Sequence, residues 1–232
     1  MGDGQRKERI LAFVLYPGVT LLDLVGPLEV LSKIGAPYRA VAVGETLEPA
    51  ATSLPVKVVP DRTFDDVPEP YAVIVPGGSG GAIRAMADER LREYLVTADR
   101  TAEVMGAVCT GSLVLAAAGL LDGREATTHY AYAPYLQRLG ARFADKRWVR
   151  DGRYITSAGV SAGIDMALAL ASQLAGEGVA RKVQIGLEYD PRPPLGPIDW
   201  SAVDRGERRA WIESTMRDEL ARRPDLLRRL GL

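Results

Sequence analysis

Short apolar runs that alternate with helical patterns limit most tightly how this chain can fold. "RILAFVLY" (9–16) ends at Pro17-Gly18, and "YRAVAVG" (38–44) is a second run. "YAVIV" (71–75) breaks into "PGGSGG", and "TAEVMGAV" (101–108) ends at Cys109-Thr110-Gly111. Runs that are apolar at nearly every position read as strands buried on both faces. Between them, "LLDLVGPLEVL" places Leu21, Leu24, Val25, Leu28 and Leu31 at helical spacing, with Gly35 as a stop. Pro27 implies a kink in this helix or a start near it. Further helices are predicted over 87–100, 112–121, 161–176 and 178–189, and "RWVRDGRYITSAG" reads as a hairpin turning at Asp151-Gly152. "SLPVKVVPD" (53–61) reads as an extended edge segment because prolines suit edges. Strand–helix alternation of this kind predicts an α/β fold, a mainly parallel sheet sandwiched by helices.

Asp190 to Pro197, "DPRPPLGP", is too rich in proline for a core element and reads as a linker. The chain is therefore divided into an α/β domain over 1–195 and a C-terminal helical extension over 196–232. The extension is expected to pack on the core or on a dimer partner. Its arginines are interleaved with Glu207, Glu213, Asp218, Glu219 and Asp225, which favours a solvated or packing helix over a nucleic-acid contact.

Composition removes several function classes. The net charge is -1, so neither nucleic acid nor an anionic membrane is an expected partner. One cysteine allows no internal disulfide and no thiolate zinc cluster, and one histidine allows no multi-histidine metal site within a chain. No metal or organic cofactor is expected. The first apolar run is too short to span a bilayer, and no cleavage pattern follows it, so the cytoplasm is the expected compartment.

The single cysteine lies where a predicted strand meets a predicted helix. Open α/β sheets bind ligands beyond the carboxyl ends of their strands, which would gather Pro17-Gly18, Pro76-Gly77-Gly78 and Cys109-Thr110-Gly111 in one crevice. Two readings of Cys109 stay open at this point. It is a buried small hydrophobe, the common fate of a free cysteine, or a nucleophile on a strained turn whose pKa the following helix lowers. Gly111 would let the backbone turn closely there. Asp23 sits among Leu21, Leu22, Leu24 and Val25. It is either a helix cap or a buried carboxyl whose pKa desolvation raises, able to act as an acid. Gly77 and Gly78 carry no phosphate-loop spacing and read better as backbone N–H donors near the sulfur.

Taken together, "LYPGVTLLDLVGPLEVL", "VIVPGGSG", "GAVCTGSLVLAAAGLLDGREATTHYAY" and "VRDGRYITSAGVSAGIDMALAL" resemble the ThiJ/PfpI superfamily over about residues 10–189. The resemblance implies a flavodoxin-like, class I glutamine amidotransferase-like fold with a nucleophile elbow at Cys109. Within the superfamily the segments look closest to the isonitrile hydratases. That likeness implies Cys109 as nucleophile, Asp23 as its carboxyl partner and Thr110 as a positioning residue, with a small apolar isonitrile or related electrophile as substrate. It also implies a homodimer, to which the apolar helix 113–121 lends an argument. Thr110 stands where protease members carry histidine, and His129 falls in a segment where the resemblance implies a structural role. Glyoxalase-like or deglycase-like action on reactive carbonyls, and a cysteine redox sensor or ligand-binding role, are the alternatives.

Overall fold

The structure is a computed structural model and describes residues 8–232. In chain order the elements begin with β1 (Arg9–Val14), α1 (Leu21–Leu31), β2 (Tyr38–Gly44), β3 (Ala50–Ala51), β4 (Lys57–Val58), β5 (Arg62–Thr63) and β6 (Ala72–Val75). Then come α2 (Ser79–Ala87), α3 (Glu89–Asp99), β7 (Val104–Val108), α4 (Gly111–Ala117), β8 (Glu125–Ala126), α5 (Ala133–Arg138) and β9 (Arg142–Phe143). The chain closes with β10 (Trp148–Asp151), β11 (Tyr154–Ser157), α6 (Ala162–Ala175), α7 (Glu177–Gly186), α8 (Arg209–Glu219) and α9 (Pro224–Arg229).

Seven strands form the central sheet in the order β10-β11-β7-β6-β1-β2-β5, parallel except for β10. β1, β6 and β7 are its middle, and their side chains are buried on both faces, as the unbroken apolar runs require. From β1 the chain winds outward to β2 on one side and returns to β6 and β7 on the other. The resulting switch point lies between β1 and β6, where open sheets of this kind place their ligands.

Several sequence expectations are corrected at the edges. Lys57–Val58 does form an extended segment, but it pairs with Ala50–Ala51 in a separate two-stranded ladder. The edge of the main sheet is Arg62–Thr63. α1 runs continuously through Pro27. The "PGGSGG" stretch opens a helix, α2, that its glycines conceal. Gly78 and Gly81 lie against the backbone of Gly18, an approach that any Cβ would block. The tail holds two helices, and Ile212, Met216, Leu220, Leu226 and Leu230 join the same hydrophobic cluster as the sheet. Tail charges meet partners in the core: Arg205 pairs with Asp145 at 2.7 Å, and Glu219 of α8 pairs with Arg84 of α2. α4 is buried inside the subunit, Leu113 and Leu115 completely, so its apolar character leaves no face for a partner.

Candidate active site

β7 ends at Val108, and the next residue turns the chain into α4 with Cys109 at φ 56°. A left-handed backbone is strained for a side-chain-bearing residue and survives only where its surroundings dictate it. Here they do. The Cys109 N–H donates to the Ser157 carbonyl at 3.1 Å, and the Thr128 hydroxyl donates to the Cys109 carbonyl at 2.9 Å. The thiol is nevertheless enclosed, with Cys109 5% exposed. The two readings of this cysteine are therefore combined: it is on a strained turn and it is buried.

The three strand-end turns converge. The Thr20 N–H donates to the Gly77 carbonyl at 2.8 Å, linking the turn after β1 to the turn after β6. The Gly78 N–H donates to Thr110 Oγ1 at 2.9 Å, linking the turn after β6 to that after β7. The Tyr16 hydroxyl donates to the Pro76 carbonyl at 2.6 Å and fixes the middle turn from below. Gly111 is packed on the Val75 and Pro76 carbonyls with no room for a Cβ.

Asp23 lies in the first turn of α1, 0% exposed and not at the cap position, which is Thr20. Its Oδ2 accepts from the Gly77 N–H at 3.0 Å, while Oδ1 is buried without a hydrogen-bond partner. Burial raises its pKa to about 7. The Gly77 amide and the facing Cys109 thiol pull it down by less. The two glycine amides thus have a task other than the one read from the sequence. They hold the carboxyl and the threonine hydroxyl, and neither is a free donor beside the sulfur.

The cysteine pKa also moves against expectation. Burial and then the Asp23 charge push it well above the usual thiol value, and the Thr110 amide and hydroxyl lower it by less. Seven-residue α4 cannot offset the loss of water around a fully enclosed sulfur. Carboxyl and thiol are thus held together, burial disfavouring the charge of each and the Asp23 charge disfavouring a second one on sulfur, so above about pH 7 the pair carries one proton, held by the thiol.

Around this pair stand groups the sequence did not single out as functional. Tyr132 follows His129 in a 3₁₀ turn, and its hydroxyl is buried without a partner, as is Ser157 Oγ. His129 caps that turn, its Nδ1 accepting from the Ala131 N–H at 3.3 Å, and burial lowers its pKa. Trp200 from the tail packs on Tyr130 at 5.5 Å between ring centroids. Among the described residues no cluster of three or more histidine, cysteine or carboxylate side chains could hold a metal ion, and no helix is long and apolar enough to cross a membrane.

A mostly parallel sheet flanked by helices, with a cysteine at positive φ where a central strand meets a helix, defines a flavodoxin-like α/β protein with a thiol site. The profile of the DJ-1/PfpI family matches residues 8–173, and the chain belongs to that family. An isonitrile hydratase from Pseudomonas putida is 41% identical over 219 residues, covering 92% of this chain and 95% of its own. The crystal structure of a ThiJ/PfpI family protein from Pseudomonas syringae superposes with a TM-score of 0.83 at 30% identity, covering 100% of this chain and 96% of that one. Drosophila melanogaster DJ-1beta superposes with a TM-score of 0.72 at 26% identity, covering 78% and 98%.

Proposed function

We propose that this protein is an isonitrile hydratase, adding water to an isonitrile to give an N-substituted formamide through a Cys109 thioimidate. The observation that carries the reading is the Asp23 carboxyl and the Cys109 thiol buried together at the switch point of the sheet, the carboxyl with one oxygen unpartnered. The 41% identity to the Pseudomonas putida hydratase supports it.

An isonitrile carbon is attacked by sulfur and, bearing a lone pair, must also be protonated. One group that takes a proton from the thiol and returns it to carbon does both jobs. Asp23, with a pKa near 7, is matched to that exchange. Asp23 accepts the Cys109 proton as the S–C bond forms, then gives it to the same carbon, leaving R–N=CH–S–Cys109. Water adds to that carbon, and the C–S bond breaks as the formamide forms. The Thr110 hydroxyl accepts from Gly78, which leaves its own proton free to point at sulfur and steady the thiolate. No step calls for a metal or an organic cofactor. The substrate is taken as small and apolar, and the protein as a cytoplasmic homodimer, on the strength of the family resemblance.

The rival readings draw less support from this geometry. A peroxide-sensing thiol works best exposed and with a lowered pKa, whereas Cys109 is buried and its pKa raised. Histidine-assisted carbonyl chemistry finds its only histidine capping a turn.

The test is formamide production from an aromatic isonitrile. Wild type is expected to turn over, Cys109→Ala to be inactive, and Asp23→Asn to fall by about 10²-fold or more. Full activity in Cys109→Ala, or none in folded wild type, would overturn the proposal.

A further inference from the structure

Four side-chain oxygens are buried without a hydrogen-bond partner among the described residues, and three belong to residues around Cys109: Asp23 Oδ1, Ser157 Oγ and the Tyr132 hydroxyl. The fourth, on Tyr94, is remote from the site, its ring stacked on Phe64. A buried polar atom without a partner is a cost to folding, and a cluster of them at one place points to a missing ligand.

Two of the three, the Ser157 and Tyr132 hydroxyls, donate to nothing in the scheme above, and of these the Tyr132 phenol is the more acidic and the better suited to give up a proton. Its place is dictated by the elbow itself. The Ser112 hydroxyl donates to the Thr127 carbonyl at 2.7 Å, the Thr128 hydroxyl holds the Cys109 carbonyl, and the Tyr132 N–H donates to the His129 carbonyl at 2.8 Å. The ring is wedged between His129 and Tyr135, at 5.8 and 6.3 Å, and the residue is 4% exposed. Burial raises the phenol's pKa most; charge on the nearby Cys109 sulfur raises it further and the Ser79 hydroxyl lowers it by less.

We propose that Tyr132 is a catalytic residue, whose hydroxyl donates a hydrogen bond and then a proton to the substrate nitrogen when the thioimidate is hydrolysed. This rests on the hydratase reading. The nitrogen of a free isonitrile has no lone pair, because its electrons are shared with carbon. A lone pair appears there only once sulfur has added, and it remains in the thioimidate that carbon protonation gives. The Tyr132 hydroxyl therefore has no acceptor in the free protein and gains one in the intermediate, an interaction that favours the later transition state over bound substrate. Burial raises its pKa to about 12, so it holds its proton at neutral pH.

The protons balance. As water attacks the thioimidate carbon, Asp23 takes one water proton and Tyr132 gives its own to nitrogen, leaving R–NH–CH(OH)–S–Cys109. As the C–S bond breaks, the adduct's hydroxyl proton returns to the Tyr132 oxygen and Asp23 reprotonates the sulfur. Formamide leaves, and all three side chains are as they began.

The experiment is single turnover of an aromatic isonitrile by wild type and Tyr132→Phe, followed by intact-protein mass and by formamide release. In Tyr132→Phe the mass is expected to rise by one isonitrile at close to the wild-type rate. The adduct should then decay about 10²-fold more slowly, with the melting temperature at or above wild type. An adduct that decays at the wild-type rate overturns the role of Tyr132 and leaves the hydratase reading intact. A lowered melting temperature also overturns it, since the hydroxyl would then be a structural partner. Wild type that forms neither adduct nor formamide overturns both.

Discussion

Asp23 titrates near pH 7 in the folded chain, against an ordinary value of 3.8, so folding raises its affinity for a proton. The folded state binds more protons than the unfolded state between those two values. Its contribution to stability is therefore complete below about pH 4 and is lost as the pH rises through about 7. Three pH units at about 1.4 kcal/mol each bound the loss at about 4 kcal/mol. Asp23→Asn keeps an oxygen for the Gly77 N–H and has no charge to bury. Relative to wild type it should gain stability between pH 5 and 8, and urea denaturation at both pH values measures the difference. A parallel pH dependence in both proteins would show that the carboxyl does not titrate in this window. The same group should set the acid limb of kcat/KM near pH 7, because the one-proton pair is the active form. At this scale Cys109, Asp23 and Thr110 were legible because each is a chemically distinctive residue in a telling context. Tyr132 was not: a tyrosine in "THYAYAP" carries no pattern, and what distinguishes it is the absence of a partner in three dimensions. The task of Gly77 and Gly78 was not legible, since only the fold brings Asp23 and Thr110 to their amides.

The connection from β6 to α2 shows how an element, and not one residue, sets the geometry of the site. Its glycines allow the turn to lie flat against Asp23 and Thr110. A Cβ at Gly77 would stand 2.6 Å from Asp23 Oδ2 and 2.7 Å from both the amide nitrogen and Oγ1 of Thr110. The atoms that would have to yield are those that hold the reacting pair. Gly77→Ala is thus expected to cost about 1–3 kcal/mol of stability and to lower formamide turnover by about 10²-fold, out of proportion to the loss of fold. Melting temperature and kcat measured on one sample separate the two effects, and unchanged kcat would mean the turn does not position the pair. The central elements were readable because a strand buried on both faces must be apolar throughout, a strong local signal in β1, β6 and β7. α2 escaped because Gly80 and Gly81 depress helix propensity. β5, two residues long and at the edge, has too little buried surface to leave a pattern.

For the molecule as a whole, the proline-rich segment at 190–197 sets off a C-terminal extension in sequence, and in the fold that extension packs on the core of this chain. Ile212, Met216, Leu220, Leu226 and Leu230 lie beyond that segment and are buried in one cluster with the sheet and its helices. α8 rests on α2, with Thr215 and Glu219 close to Gly80 and Arg84 paired with Glu219. Each fully buried side chain of this size contributes about 1.5–3 kcal/mol, and a folded chain has only about 5–15 kcal/mol in total. Five such side chains therefore represent most or all of the margin. A chain ending at Pro197 should unfold far below the full chain or fail to fold, and the full chain should melt in one transition with residues 198–232 included. Met216→Ala is the milder form of the same test, expected to lose about 2–5 kcal/mol. Because α8 supports the helix that begins at Ser79, directly after Gly77 and Gly78, the lost packing should reach the site and lower turnover as well as stability. A truncated chain with the melting temperature and turnover of the full one would show the tail to be a separate unit.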